Sequence, residues 1–147
     1  MNNLYNTNIE LATRTLLLLS IDKYPKTIDR ILALDFITTY SKHFDITSKN
    51  LHGDNIYSFG EFSSRRILIK KAIEFLLLYK YVSVFKSNLG FKFKINDSGL
   101  NLIKSMKSTY AKEYLEIAKI VIEKSKLLTT EELINKINLY AQNSIKR

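Results

Sequence analysis

The apolar positions of the first 44 residues recur with the period of helices. Thr7 followed by Glu10 forms a capping box, which predicts a first helix over residues 8–21. Residues 16–19 are all leucine, so this helix is apolar on every side at that point. Such a helix is typical of the centre of a domain rather than of its surface.

A second helix is predicted after the break at Pro25. Its apolar positions follow helical spacing to about Phe44, where the pattern stops. These positions are Ile28, Ile31, Leu32, Phe36 and Tyr40. Residues 45–59 then show no sustained period and contain Asn, Gly, Asp and Ser, so we expect a long connection there.

A long third helix is predicted over residues 60–81. Its buried stripe consists of Phe62, Ile69, Ile73 and Leu76. That stripe predicts Arg65, Lys70, Lys71 and Glu74 on the solvent side and places Arg66 at its edge.

A basic hairpin should follow, with strands over residues 82–85 and 91–95 joined by the turn 87–90. Alternation along the second strand predicts that Lys92 and Lys94 share one face. Phe91, Phe93 and Ile95 should occupy the opposite face and point to the core.

Three further helical segments are predicted after the hairpin. The first is short and opens at Asp97, the second carries a stripe from Tyr110 to Val121, and the third opens at a capping box formed by Thr129 and Glu132. The pattern predicts a mainly α protein with a small β-hairpin, arranged as a winged helix-turn-helix domain with additional C-terminal helices. We expect residues 1–108 to form that domain and residues 109–147 to form a helical extension packed on it.

The charge of the chain is concentrated in the third helix and the hairpin. The formal net charge is +9, and residues 60–95 hold eight Lys or Arg against two acids, whereas residues 1–59 hold six of each. Because 18 of the 23 basic residues are Lys, biased composition accounts for part of the total, and the local excess is the better signal. Clustered cations attract phosphate or acidic protein surfaces. The candidate DNA-binding or partner-binding residues are Arg65, Arg66, Lys70, Lys71, Lys86, Lys92 and Lys94.

Structural explanations compete with that interpretation at two places. Glu61 and Arg65 stand four residues apart, so they could simply support the helix locally. Lysines on the hairpin could equally be a solvated edge that prevents aggregation.

The residue types needed for catalysis are sparse. The chain has no Cys, and His43 and His52 are its two histidines, which could supply at most half of a zinc site. No Asp or Glu is followed two positions later by Lys, the spacing found in many metal-dependent nucleases, and four Gly cannot build a phosphate loop. We therefore expect no enzymatic activity, no cofactor and no metal. The uncharged run 15–21 is too short to span a bilayer, and we expect a soluble protein of the cytoplasm.

A string of short motifs in fixed order resembles a known family. The matching segments are residues 4–7, 10–19, 29–36 and 50–53, followed by Gly60-Glu61 and Arg65-Arg66. Together they resemble the middle component of ABC-three component systems. The Lamassu-type defence operons belong to the same group of systems. The resemblance spans about residues 4–103. One departure is Gly53, where the family usually carries Pro after Leu-His.

The resemblance implies a function in assembly rather than in bond chemistry. It implies a small, non-catalytic winged-helix subunit that partners an SMC-like ABC ATPase beside an effector that is often a nuclease. In that setting the subunit would support the sensing of phage or plasmid DNA. Two alternatives stay open at this stage: a free-standing winged-helix transcription regulator, and a protein adaptor that never touches nucleic acid.

Overall fold

The computed structural model describes residues 7–52 and 58–146, which form six α-helices and one antiparallel hairpin. The helices are α1 (Asn8–Leu19), α2 (Ile28–Thr39), α3 (Ser58–Leu78), α4 (Asp97–Lys104), α5 (Thr109–Ser125) and α6 (Thr130–Lys146). The strands are β1 (Val82–Ser87) and β2 (Gly90–Ile95). The prediction of a mainly helical chain with one small hairpin is confirmed.

Side chains at the helix starts explain where the first two helices begin. The hydroxyl of Thr7 accepts a hydrogen bond from the amide of Glu10, and that of Thr27 accepts one from the amide of Arg30. The predicted central position of α1 is confirmed, because residues 16–19 are all buried. α2 ends earlier than predicted, since the chain tightens into a 3₁₀ turn at Ser41–Phe44.

The C-terminal end of α3 is fixed by backbone geometry. The amide of Tyr81 donates to the carbonyl of Leu76, and the amide of Lys80 donates to that of Leu77. Lys80 takes the left-handed conformation that such a helix end requires, with φ 62°. The Asn96 side chain also donates to the Lys80 carbonyl at 2.7 Å. The helix therefore stops at Leu78, three residues before the predicted end, and the path into β1 is tightly defined.

The side chains of the second strand of the hairpin alternate between its two faces as predicted. Val84 pairs with Phe93 and Phe85 pairs with Lys92, so Lys92 and Lys94 do share one face. On the other face, Phe93 and Ile95 are buried as predicted.

The prediction that Phe91 also faces the core is wrong: its side chain is 60% exposed. Phe91 pairs with Lys86 near the tip of the hairpin. Among the described residues, the packing that buries Phe93 and Ile95 nearer the base of the hairpin does not extend to this position.

A single bridge extends the hairpin to a third segment. Lys26, between α1 and α2, exchanges two backbone hydrogen bonds with Phe93 of β2, at 3.0 and 2.8 Å. This bridge holds the N-terminus of α2 against the hairpin.

Helices α4 and α6 begin where the pattern predicted. Asn96 caps α4, Ser108 caps α5, and Thr129 and Glu132 form a reciprocal capping box at the start of α6. The core passes through all the helical layers, because α5 and α6 contribute Tyr114, Val121, Leu133 and Ile137 to the same buried cluster as α1 and α2. Within the described residues, none of the helices combines the length and the apolar character needed to cross a membrane.

Two helical glycines provide a matched test of the packing around α4. A Cβ added at Gly99 would lie 2.4 Å from the Tyr81 carbonyl oxygen and 2.6 Å from Ile95 Cγ1, whereas one added at Gly60 meets nothing within 4 Å. We expect Gly99→Ala to lower the free energy of unfolding by about 1–3 kcal/mol through overpacking. Gly60→Ala should raise it by up to about 1 kcal/mol through helix propensity. Urea denaturation of both variants checks this, and a stabilised Gly99→Ala would contradict the close packing.

Candidate functional site

The structure places one of the predicted site residues, Arg65, in the core and leaves the others at or near the surface. The expectation that Arg65 faces solvent is wrong, since its side chain is 0% exposed. The apolar stripe of α3 is wide enough to include position 65, and a buried carboxylate lies opposite it. Arg66 is half exposed and forms a salt bridge with Asp29 of α2. The lysines lie elsewhere on the surface.

The buried group centres on Asp35 of α2. Arg14 of α1 donates to both of its carboxylate oxygens, from Nε at 3.0 Å and from Nη2 at 2.9 Å. Arg65 of α3 donates to Oδ2 at 3.0 Å, and the hydroxyl of Tyr114 of α5 donates to Oδ1 at 2.6 Å. Four helices therefore meet at one carboxylate, which we call the Asp35 cluster: Arg14, Asp35, Arg65 and Tyr114.

Charge neutralisation makes this arrangement possible in the core. Burial alone would raise the pKa of Asp35, but the charges of Arg14 and Arg65 and the hydrogen bonds outweigh it and hold the pKa well below its ordinary value of 3.8. For Arg14, burial lowers the pKa, and the adjacent carboxylate more than reverses the effect. Burial followed by the Asp35 charge raises the pKa of Tyr114. Asp35 thus stays ionised and Tyr114 stays a hydrogen-bond donor at neutral pH.

Further contacts complete the environment of Arg65. Its Nη1 donates to Thr39 Oγ1 at 2.8 Å. Nη2 lies 3.0 Å from Glu61 Oε2 and forms an ion pair with it, but the two groups are not aligned well enough for a hydrogen bond. The guanidinium also lies over the rings of Phe36 and Tyr40, at 5.1 and 5.6 Å from their centroids. The local Glu61–Arg65 pair that spacing suggested is therefore present, but Arg65 acts mainly inside the core.

Sequence reasoning missed Arg14, Asp35 and Tyr114 as a polar group. The available signal was a charge inside an apolar run: Asp35 follows Leu34 and precedes Phe36, and Arg14 lies two residues before the leucine run. A charged residue at such a position needs a partner. Which partner it has depends on how the helices cross, and this is a property of the tertiary structure.

His52 belongs to the same neighbourhood. It is buried, and its Nε2 lies 2.7 Å from the hydroxyl of Tyr110 of α5. Its ring meets Tyr40 edge to face, with centroids 6.0 Å apart. Burial, followed by the charges of Arg14 and Arg65, lowers the pKa of His52 to about 2. His52 thus fastens the connection after α2 to α5 as a neutral imidazole. Residues 53–57 of that connection lie outside the described part, as do residues 4–6 of the first motif.

The exposed group consists of lysines on α3 and on the hairpin. Lys70, Lys71 and Lys86 are exposed, while Lys92 and Lys94 are half-buried. The register puts Lys86 on the hairpin face opposite to Lys92 and Lys94. Within the described part of the chain none of the five lysines takes part in a salt bridge. These residues are thus accessible to an anionic partner, and their binding role stays a prediction.

A groove lies between the hairpin tip and the turn that joins α5 to α6. Its volume is about 920 Å³, and its rim carries Tyr24, Leu89 and Leu127. Arg30 forms part of its wall and donates to the carbonyls of Ser125 and Leu128, which caps the end of α5.

Among the residues that the structure describes, no three His, Asp or Glu side chains are grouped so that they could hold a metal ion.

Removing the central charge tests the Asp35 cluster. We expect Asp35→Asn to lower the free energy of unfolding by about 3–5 kcal/mol, because two guanidinium groups would remain buried without their shared counter-ion. The control is Asp29→Asn, which breaks the exposed pair with Arg66 and should change the same quantity by less than about 1 kcal/mol. Urea denaturation at pH 7 compares the two. Equal effects would show that the buried cluster has no special energetic weight.

The lowered pKa of His52 predicts a pH dependence of stability. The unfolded chain binds a proton at this imidazole near its ordinary pKa of 6.5, whereas the folded chain does so only near 2. The His52 contribution is therefore fully present above pH 6.5 and is lost by up to about 1.4 kcal/mol per pH unit as the pH falls below it. Denaturation between pH 7.5 and 5 should show this slope in the wild type and a smaller slope in His52→Gln. The control is His43→Gln, which should keep the slope of the wild type. An unchanged slope in His52→Gln would refute the assignment of the pH dependence to His52.

Comparison with known proteins places the chain in a family. The family model for ABC-three component (ABC-3C) system Middle Component 2 matches residues 4–147. No curated protein and no solved structure matches the chain. The family match extends beyond the segment of about residues 4–103 over which the motifs suggested the resemblance. Since it covers almost the whole chain, the protein belongs to the middle component 2 family of ABC-three component systems.

Proposed function

We propose that this protein is a non-catalytic winged-helix subunit of a bacterial defence complex. It partners an SMC-like ABC ATPase, beside an effector that could be a nuclease, and supports the sensing of phage or plasmid DNA. A Lamassu-type system is the setting that the motifs favour. The observation that carries the proposal is the family match over residues 4–147, because a middle component of a three-component system acts with other subunits.

The order and pairing of the elements support the winged-helix assignment. Helix α1 is followed by the extended residue Lys26, then by α2, α3 and the two strands. Lys26 pairs with β2, so it takes the place of the short third strand that completes a winged-helix sheet. In such a fold α3 and the hairpin are the elements that face a ligand, and they carry the exposed lysines.

The state of the ionisable groups supports a non-catalytic role. Asp35, a carboxylate with a strongly lowered pKa, is 2% exposed and is surrounded by donors from three helices. A group of this kind has no access to a substrate. Perturbed groups often mark active sites, but structural ion networks perturb pKa values in the same way.

DNA held by the complex is the ligand that we assign to the lysines of the hairpin. Lys92 and Lys94 lie together on one hairpin face, apart from the lysines of α3. Lys is suited to phosphate contact as a point charge and carries no sequence information in that role. The alternative, a free-standing transcription regulator, would need base-reading groups on α3. Its outer face offers Ile67 and Phe75 beside the lysines, which suits assembly better than base readout.

Salt dependence tests this function. The chain is co-expressed with the other two components of its system, and binding of the complex to DNA is measured against salt concentration. We expect binding that is insensitive to sequence, with a log-log slope of about 0.9 for each phosphate neutralised. Lys92→Glu/Lys94→Glu should reduce that slope.

The control is Lys112→Glu/Lys119→Glu, which makes the same charge change on exposed positions of α5. Gel filtration checks that each complex is assembled. A slope that is the same in all variants would remove DNA contact by these lysines. Disrupted assembly with unchanged DNA binding by the ATPase would instead assign the lysines to a protein contact.

A further inference from the structure

The outward face of α3 carries an unusual series of side chains. Six exposed residues recur at positions i, i+3, i+4, i+7, i+8 and i+11, which form one continuous stripe of a helix. They are Ile67, Lys70, Lys71, Glu74, Phe75 and Leu78. Tyr79 continues the stripe at the helix end, and its ring centroid lies 4.6 Å from that of Phe75. We call these seven residues the outward face of α3.

The apolar members of this face are too exposed to belong to the core. Ile67 is 60% exposed, Phe75 46%, Leu78 74% and Tyr79 57%. The inward face of the same helix already supplies Phe62, Ile69, Ile73 and Leu76 to the core. Single exposed apolar residues are ordinary, but four on one stripe of one helix are typical of an interaction surface.

The outward face is also held rigidly. On the inward side Arg65 is bonded to Asp35 and Thr39, which fixes the rotation of α3 about its axis. At the C-terminal end, the left-handed Lys80 and its contact from Asn96 fix the point at which the helix stops. A surface fixed in this way loses little conformational entropy when a partner binds.

The charges on this face select the class of partner. Lys70 and Lys71 lie in the middle of the stripe and Lys80 lies at its end, against the single acid Glu74. None of the three lysines takes part in a salt bridge within the described residues. A second copy of the chain would bring the same cations together and repel. DNA would satisfy the lysines but would leave Phe75 and Leu78 against phosphates, where apolar burial is poor.

We propose that the outward face of α3 docks in an apolar groove with an acidic rim on another protein component of the same system. The mode is that of a helix lying in a groove, with anchors at helical spacing. This inference rests on the proposed function, because it assumes that the chain assembles with other components. To that function it adds the surface that makes the contact. The apolar anchors on this surface are residues that the charge distribution did not indicate as binding residues.

The test is co-purification of the chain with the other two components of its system, followed by measured affinity for the component that binds it. Phe75→Ser/Leu78→Ser should weaken that affinity by at least about tenfold, because it removes two apolar anchors. The control is Ile120→Ser/Leu139→Ser, which makes the same change at exposed positions of α5 and α6 and should leave the affinity within about twofold. Lys70→Glu/Lys71→Glu should weaken binding more at low salt than at high salt. Circular dichroism confirms that each variant is folded.

The outcomes are distinguishable. If the wild type assembles and Phe75→Ser/Leu78→Ser binds as tightly as it does, the docking proposal is overturned while the proposed function stands. If the wild type binds neither component, both are overturned. If the Phe75 and Leu78 variant instead loses only self-association, or only DNA binding by the isolated chain, then the face belongs to a second copy or to DNA, and the proposal is equally overturned.

Discussion

The ionised carboxylate of Asp35, enclosed among two guanidinium groups and a phenol, is the interaction on which the arrangement of the helices depends. Its donors come from α1, α3 and α5, while Asp35 itself lies on α2. Removing a charge from water is costly, so the carboxylate remains in the core only while all of these donors are in place. An apolar contact tolerates a small shift of one helix against another, but a hydrogen-bonded ion network does not. We infer that the Asp35 cluster fixes the relative positions of the four helices more than it adds net stability.

The orientation of the exposed surfaces follows from that buried group. Because Arg65 points inward to Asp35, the residues on the opposite side of α3 must point outward. Lys70, Lys71, Phe75 and Leu78 are therefore presented to solvent by a helix that cannot rotate about its axis. The hairpin is joined to this helix through the fixed turn at Lys80 and to α2 through the bridge at Lys26. The groups available for binding are thus supported by the core without taking part in it.

The connection after α2 is fastened to the same centre. His52 contacts Tyr110 of α5 and lies against the ring of Tyr40, while Tyr40 itself donates to Glu61 of α3. The segment that contains the Leu-His motif is therefore part of the packed structure up to residue 52. Its role in this chain is to hold helices together through a buried, neutral histidine.

The sequence by itself determined the presence of the helices, several of their N-terminal caps, the hairpin and the alternation of its faces, because these depend on contacts within a few residues. The capping boxes at Thr7 and Thr129 and the faces of β2 at Lys92 and Phe93 needed no knowledge of the rest of the chain. The family resemblance also came from local motifs. The local pattern did not determine where α2 and α3 end, since a 3₁₀ turn and a left-handed residue stop them.

Only the tertiary structure decided which charges are buried. Arg65 and Arg66 are adjacent and chemically identical, yet one lies in the core and the other pairs with Asp29 at the surface. The difference arises because the crossing of α3 over α2 brings Asp35 opposite one of them. Such a partner is distant in sequence, and spacing along a single helix carries no information about it. The exposure of Phe91 was likewise decided by tertiary packing, because the alternation along β2 carries no information about how far the core covers that face.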